Sequence, residues 1–93
     1  MNTEEIRDKI IDVIKQYNIT RVVLFGSRAS GTYTEDSDID FIIEFANSIS
    51  LIKLASLKYD LEDKLGMPVD IIHGPIRDTD MIEVGDTVEI YAA

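Results

Sequence analysis

The stretch that decides the fold is LFGSRASGTYTEDSDID, residues 24–40. A β-branched run ending at Phe25 breaks at Gly26 and Ser27, crosses a small polar segment, and resumes as a second apolar run headed by Asp38 and Asp40. Side chains alternate faces along a strand, so these two aspartates point the same way, with Cα atoms roughly 7 Å apart. Ile39, Phe41, Ile43 and Phe45 fall on the opposite face and require a helix layer over them. One face of the sheet is therefore expected to build the core, leaving the other free for chemistry.

Two carboxylates fixed side by side repel each other and need a counterion. Oxygen ligands of this kind suit Mg²⁺, which takes one or two carboxylates, keeps some of its water and completes its shell with substrate phosphates. A nucleoside triphosphate is the natural third party. Gly26 permits close backbone approach, while Ser27 and the amides that follow can donate to phosphate oxygens. Arg28 adds a fork of donors for the same oxygens. Gly-Ser alone is an ordinary turn; followed at the right distance by Asp-x-Asp, between two strands, it becomes informative.

Gly-Ser, ten residues (28–37), then Asp-x-Asp resembles the minimal nucleotidyltransferase family of the DNA polymerase beta superfamily. The likeness extends to VVLF, GSRASG, SDIDFII, a helix ending in LGMPVDII and a tail ending in IYAA, and so covers nearly the whole chain. The resemblance implies an α/β (α+β) fold, a nucleotidyltransferase-like mixed sheet with helices packed on one face. It implies Asp38, Asp40 and Asp70 as catalytic and metal-binding carboxylates, with Gly26 and Ser27 at the nucleotide beside the Arg28 that side-chain chemistry adds. Members similar to this chain are commonly antitoxins paired with a HEPN-domain toxin, a ribonuclease whose tyrosine they modify with AMP from ATP. The family pattern is complete at Gly26, Ser27, Asp38, Asp40 and Asp70.

Composition narrows the remaining possibilities. A chain of 93 residues is expected to form one domain, residues 1–93, so a large acceptor must come from elsewhere. With 9 basic against 18 acidic residues and a net charge of −9, sequence-independent binding to nucleic acid is disfavoured and a basic protein partner is favoured. Part of that charge is simply solvated surface. No cysteine is present, which removes disulfides and thiolate metal sites. The start MNTEEIRDK is charged and no apolar run approaches a membrane span, so neither a signal peptide nor a membrane segment is expected, and the cytoplasm is the default location.

The rest reads as scaffold. Asn2 or Thr3 caps a first helix, Asn2 and Glu5 having capping-box spacing, and Ile6, Ile10, Val13, Ile14 and Tyr17 share one stripe. Tyr17 is expected to pack rather than to act. Residues 21–25 form a strand; residues 26–37 form a loop after about two helical turns, with Tyr33 either near the nucleotide or idle. Ser48 or Ser50 caps a second helix in which Leu51, Leu54, Ala55, Leu57, Leu61 and Leu65 keep core spacing. Lys58, Asp60, Glu62, Asp63 and Lys64 lie mainly on its wet side, read as a solvated face rather than a docking site. Gly66 and Pro68 end that helix.

Residues 69–72 are a third strand with Asp70 in the middle. A strand-edge aspartate in solvent is one reading, but a strand returning after a crossover helix can lie beside the one carrying Asp38 and Asp40. Asp70 would then either join a second ion or accept the proton of an attacking hydroxyl. His73 is read as incidental. Asp78 or Thr79 caps a brief turn over residues 81–84, closed by Gly85, and residues 88–91 form an edge strand or tail. Two other functions compete with AMP transfer to a toxin: a non-catalytic antitoxin acting by occlusion, and a nucleotidylating subunit for a small hydroxyl substrate.

Overall fold

The computed structural model describes residues 2–26, 29, 31, 38–75 and 86–93. Helix α1 (Thr3–Gln16) starts where the Asn2 side chain accepts the N–H of Glu5 at 2.8 Å, with Glu4 and Glu5 in the first turn. An acidic first turn and a capping asparagine both satisfy the positive end of the helix. Ile6, Ile10, Val13 and Ile14 are its buried side chains, as the stripe predicts. Helix α2 (Leu51–Leu65) is capped by Ser50, whose hydroxyl accepts the N–H of Lys53 at 3.1 Å, and it ends at Gly66 with φ +70°. Glycine suits that left-handed stop because it has no Cβ to clash.

Strands β1 (Ile19–Phe25), β2 (Ile39–Phe45), β3 (Val69–His73) and β4 (Thr87–Ala92) form one mixed sheet in the order β3-β2-β1-β4. β1 runs antiparallel to both β2 and β4, while β3 returns parallel to β2 after the α2 crossover. Both helices pack on one face, where Ile39, Phe41 and Ile43 of β2 and Val22 and Leu24 of β1 complete a core with α1, Leu57, Leu61, Leu65 and Val69. Burying each such side chain is worth about 1.5–3 kcal/mol relative to exposure.

Two hydrogen bonds set the register of β3 where it enters the sheet. Ile39 donates its N–H to the carbonyl of Pro68 at 3.1 Å, and Val69 donates its N–H to the Glu62 carboxylate at 3.0 Å. Glu62, expected only to be wet, thus ties α2 to the first residue of β3. On the other side of the sheet Arg21 bridges three strands, donating to Glu89 at 2.7 Å and to Glu44 at 3.0 Å.

Several boundaries and burials differ from the sequence reading. β1 begins at Ile19, two residues before the expected start, and β3 includes His73, which stacks on Phe45 with ring centroids 5.3 Å apart. Leu51 is 85% exposed and Ala55 is exposed too, so neither belongs to the core. Tyr17 packs partly against the core, but its hydroxyl also has a polar anchor, donating to Asp60 at 2.6 Å and lying 2.9 Å from the Ser56 hydroxyl. The second face of the sheet is not wholly bare: Val23 and Ile42, opposite each other in register, are both buried. Tyr33 and the turn expected after Asp78 or Thr79 lie outside the described residues. Among the described residues no helix is long and apolar enough to cross a membrane.

Candidate active site

The parallel register places Asp40 of β2 directly beside Asp70 of β3. Their neighbours in the same register, Ile39 with Val69, are both buried under the helices, so the two aspartates share the opposite face. Asp38 stands one residue before β2, two positions from Asp40, and alternation turns it to the same side. The three carboxylates expected from the sequence are thus brought together at one end of the sheet.

Their environment is electrostatically costly without a cation. Burial pushes the Asp40 carboxyl above the usual carboxylate range. The negative charges of Asp70 and Asp38 push it further in that direction, as does a hydrogen bond between Asp40 and Asp70. Asp38 and Asp70 are themselves exposed while Asp40 is half-buried, so Asp40 carries the desolvation. Among the described residues, no lysine or arginine forms an ion pair with any of the three.

Gly26 closes the site from β1. Its neighbour Phe25 is the register partner of Asp40, and the chain turns at once, Ala29 donating its N–H to the Gly26 carbonyl at 3.2 Å. Gly26 has φ +72°, and a Cβ placed there would lie 2.5 Å from Oδ2 of Asp40. Glycine is therefore needed twice, for the backbone and for the carboxylate that occupies the space a side chain would take. Ser27 and Arg28, the other residues expected at the nucleotide, lie outside the described residues.

An acidic trio with this donor chemistry fits Mg²⁺ or a similar hard cation. Among the described residues no group of three or more acidic or histidine side chains is arranged to hold a metal ion by itself. A hollow of about 350 Å³ around Tyr17, Phe45 and Lys53 sits at the other end of β2 and contains none of these carboxylates. Another groove, of about 300 Å³, runs between α2 and β3; Asp70 is the one member of the trio among its lining residues.

The candidate site thus combines a strand, a glycine turn, paired aspartates and a third carboxylate on the next strand. The model of the nucleotidyltransferase domain matches residues 7–88, and the chain belongs to that family, in its minimal form. A Methanocaldococcus jannaschii protein named "putative protein adenylyltransferase" is 39% identical over 95% of this chain and all of its own length. A solved structure described as a "putative minimal nucleotidyltransferase" superimposes with a TM-score of 0.73 at 30% identity, covering 95% of each chain. Two toxin–antitoxin crystal structures share the fold. One, with AMP-PNP, gives a TM-score of 0.77 at 23% identity, covering 94% of this chain and 73% of its own. The other, a tri-AMPylated Shewanella oneidensis HEPN toxin with its MNT antitoxin, gives 0.71 at 19% identity, covering 98% and 73%.

Proposed function

We propose that this chain is a Mg²⁺-dependent protein adenylyltransferase that moves AMP from ATP to a tyrosine hydroxyl of a HEPN-type ribonuclease toxin, acting as its antitoxin. The observation that carries the reading is the register pairing of Asp40 with Asp70, beside Asp38, on the sheet face away from the helices. The named relative that matches this chain over its whole length, and the AMPylated toxin complex that shares its fold, support the acceptor class.

Asp38 and Asp40 would hold the magnesium ion. That ion supplies charge neutralisation on the triphosphate and alignment of the α-phosphate. Asp70, exposed and beside Asp40 in register, would accept the proton of the attacking hydroxyl. The acceptor oxygen forms a bond to the α-phosphorus, the bond from that phosphorus to the bridging oxygen breaks, and pyrophosphate leaves with the electron pair. Gly26 keeps β1 close without displacing Asp40, and the turn after it would cradle the phosphates with Ser27 and Arg28.

Co-expression with a HEPN-domain toxin, followed by intact-mass measurement, tests the reading. The partner should gain one or more AMP groups, and Asp38→Ala or Asp40→Asn should abolish the gain. An unmodified partner in the presence of intact protein, ATP and Mg²⁺ refutes it. Neutralisation by the aspartate variants at equimolar amounts would instead indicate a non-catalytic antitoxin.

A further inference from the structure

Among the described residues β3 is an edge strand, hydrogen-bonded only to β2. Asp70 on that strand is exposed and forms no ion pair among them, so its place is set by the backbone that carries it. Two bonds show which way that backbone faces. Gly74 donates its N–H to the Ile43 carbonyl at 2.7 Å, and the Pro68 carbonyl accepts from Ile39 at 3.1 Å. Even-numbered residues of this stretch therefore aim their backbone groups at β2, and the N–H of Val69 points to the outer edge. Val69 is 1% exposed, and a backbone donor in so buried a residue needs a partner.

Glu62, half-buried near the end of α2, supplies it by accepting the Val69 N–H at 3.0 Å. The same residue's backbone carbonyl accepts the Gly66 N–H at 2.8 Å, where the helix stops. One residue thus grips the connection at both ends, with Gly66, Met67 and Pro68 spanned between. The residue after Val69 is Asp70, and the amide held by Pro68 is that of Ile39, the residue after Asp38. Through these backbone bonds the grip extends to both exposed members of the trio.

We propose that Glu62 is a positioning residue for the transfer reaction, which fixes Asp70 beside Asp40 by holding the Val69 N–H and acts through the backbone of β3 rather than on substrate or metal. The proposal rests on the AMP-transfer reading above. Distance is what the site needs from it, since a reacting group misplaced by roughly 1 Å costs on the order of 10²-fold in rate. The useful property of Glu62 is therefore the reach of an acceptor oxygen and not its charge. Glutamine keeps that oxygen at the same reach; aspartate keeps the charge and falls one C–C bond, about 1.5 Å, short.

The test compares Glu62→Gln with Glu62→Asp, with circular dichroism to check the fold. Amide hydrogen exchange on the chain without metal or nucleotide should speed up about tenfold at Val69 and Ile39 in Glu62→Asp. Glu62→Gln should exchange as the wild type does. With ATP, Mg²⁺ and a HEPN-domain toxin, Glu62→Asp should lose between about tenfold and a hundredfold in kcat, with KM held for both substrates. Glu62→Gln should restore the wild-type kcat. Glu62→Ala, which removes the acceptor, repeats the comparison if aspartate still protects Val69. A wild-type kcat in a variant whose Val69 amide has been freed would overturn the proposal, because the bond would then serve stability alone. So would a kcat lost in Glu62→Gln with Val69 still protected, which would make the charge the active property. A wild-type chain that transfers no AMP would instead sink the function proposed above and the positioning role with it.

Discussion

Alanine at position 26 would place its methyl carbon 2.5 Å from Oδ2 of Asp40. The carboxylate must then withdraw by about 0.9 Å, the shortfall from the 3.4 Å at which ordinary contact begins. Displacing a reacting or metal-holding group by roughly 1 Å costs on the order of 10²-fold in rate, or about 2.7 kcal/mol of transition-state stabilisation. The backbone adds a separate penalty, since φ +72° is left-handed and costs a residue with a Cβ about 1–2 kcal/mol. Gly26→Ala should therefore lose about 1–2 kcal/mol of stability in urea unfolding and about a hundredfold in the AMP transfer proposed above. Gly66→Ala separates the two effects: its φ is +70°, yet nothing lies within 4 Å of the new Cβ. It should show a similar stability loss with wild-type transfer rates. If Gly26→Ala loses the stability but transfers AMP as fast as Gly66→Ala, then the contact with Asp40 does not position that carboxylate and the reasoning fails.

Asp40→Asn should abolish transfer while stabilising the metal-free protein. The Asp40 pKa is raised, so in the window from its ordinary value near 3.8 up through the raised one the folded state holds a proton that the unfolded state has lost. Stability from this group therefore falls as pH rises through that window; thermal melts from pH 4 to 7 should show the decline in the wild type and its removal in the variant. Tyr17→Phe gives up the hydroxyl bonds to Asp60 and Ser56, and urea unfolding should report a loss of about 0.5–1.5 kcal/mol with transfer unaffected. Leu57→Ala empties a fully buried position and should cost about 2–5 kcal/mol, visible as a lower calorimetric melting temperature. Chelation by EDTA should stop AMP transfer, and added Mg²⁺ should restore it, without loss of secondary structure by circular dichroism.

The carboxylate trio was legible because strand alternation is strict. Asp38 and Asp40 share a face whatever surrounds them, and a single crossover helix between residues 45 and 69 leaves few places for the strand bearing Asp70. The caps at Asn2 and Ser50 and the stop at Gly66 were legible for a similar reason, being local chemistry. Burial at Ile42 was not, since Phe41, Ile42 and Ile43 form an unbroken apolar run in which alternation cannot say how much of the second face is covered. On α2 the apolar positions span too wide an arc for one buried stripe. Periodicity placed Leu51 and Ala55 in the core although the sheet does not extend beneath them. The polar links from Glu62 to Val69, Tyr17 to Asp60 and Arg21 to Glu89 join distant or differently structured segments, and no local pattern announces them.

The pair of bonds made by Pro68 and Val69 at the entrance of β3 has an engineering consequence. Because the strand period is two, one residue inserted between Leu65 and Val69 would rotate β3 by half a repeat, carrying Asp70 under the helices and delivering an isoleucine or valine to the face that bears Asp40. The three-residue hinge of Gly66, Met67 and Pro68 thus works as an escapement that fixes which tooth of the strand engages. Length changes should be far better tolerated at residues 46–50, on the opposite rim of the sheet, where an extra residue can bulge outward before Ser50 restarts the helix.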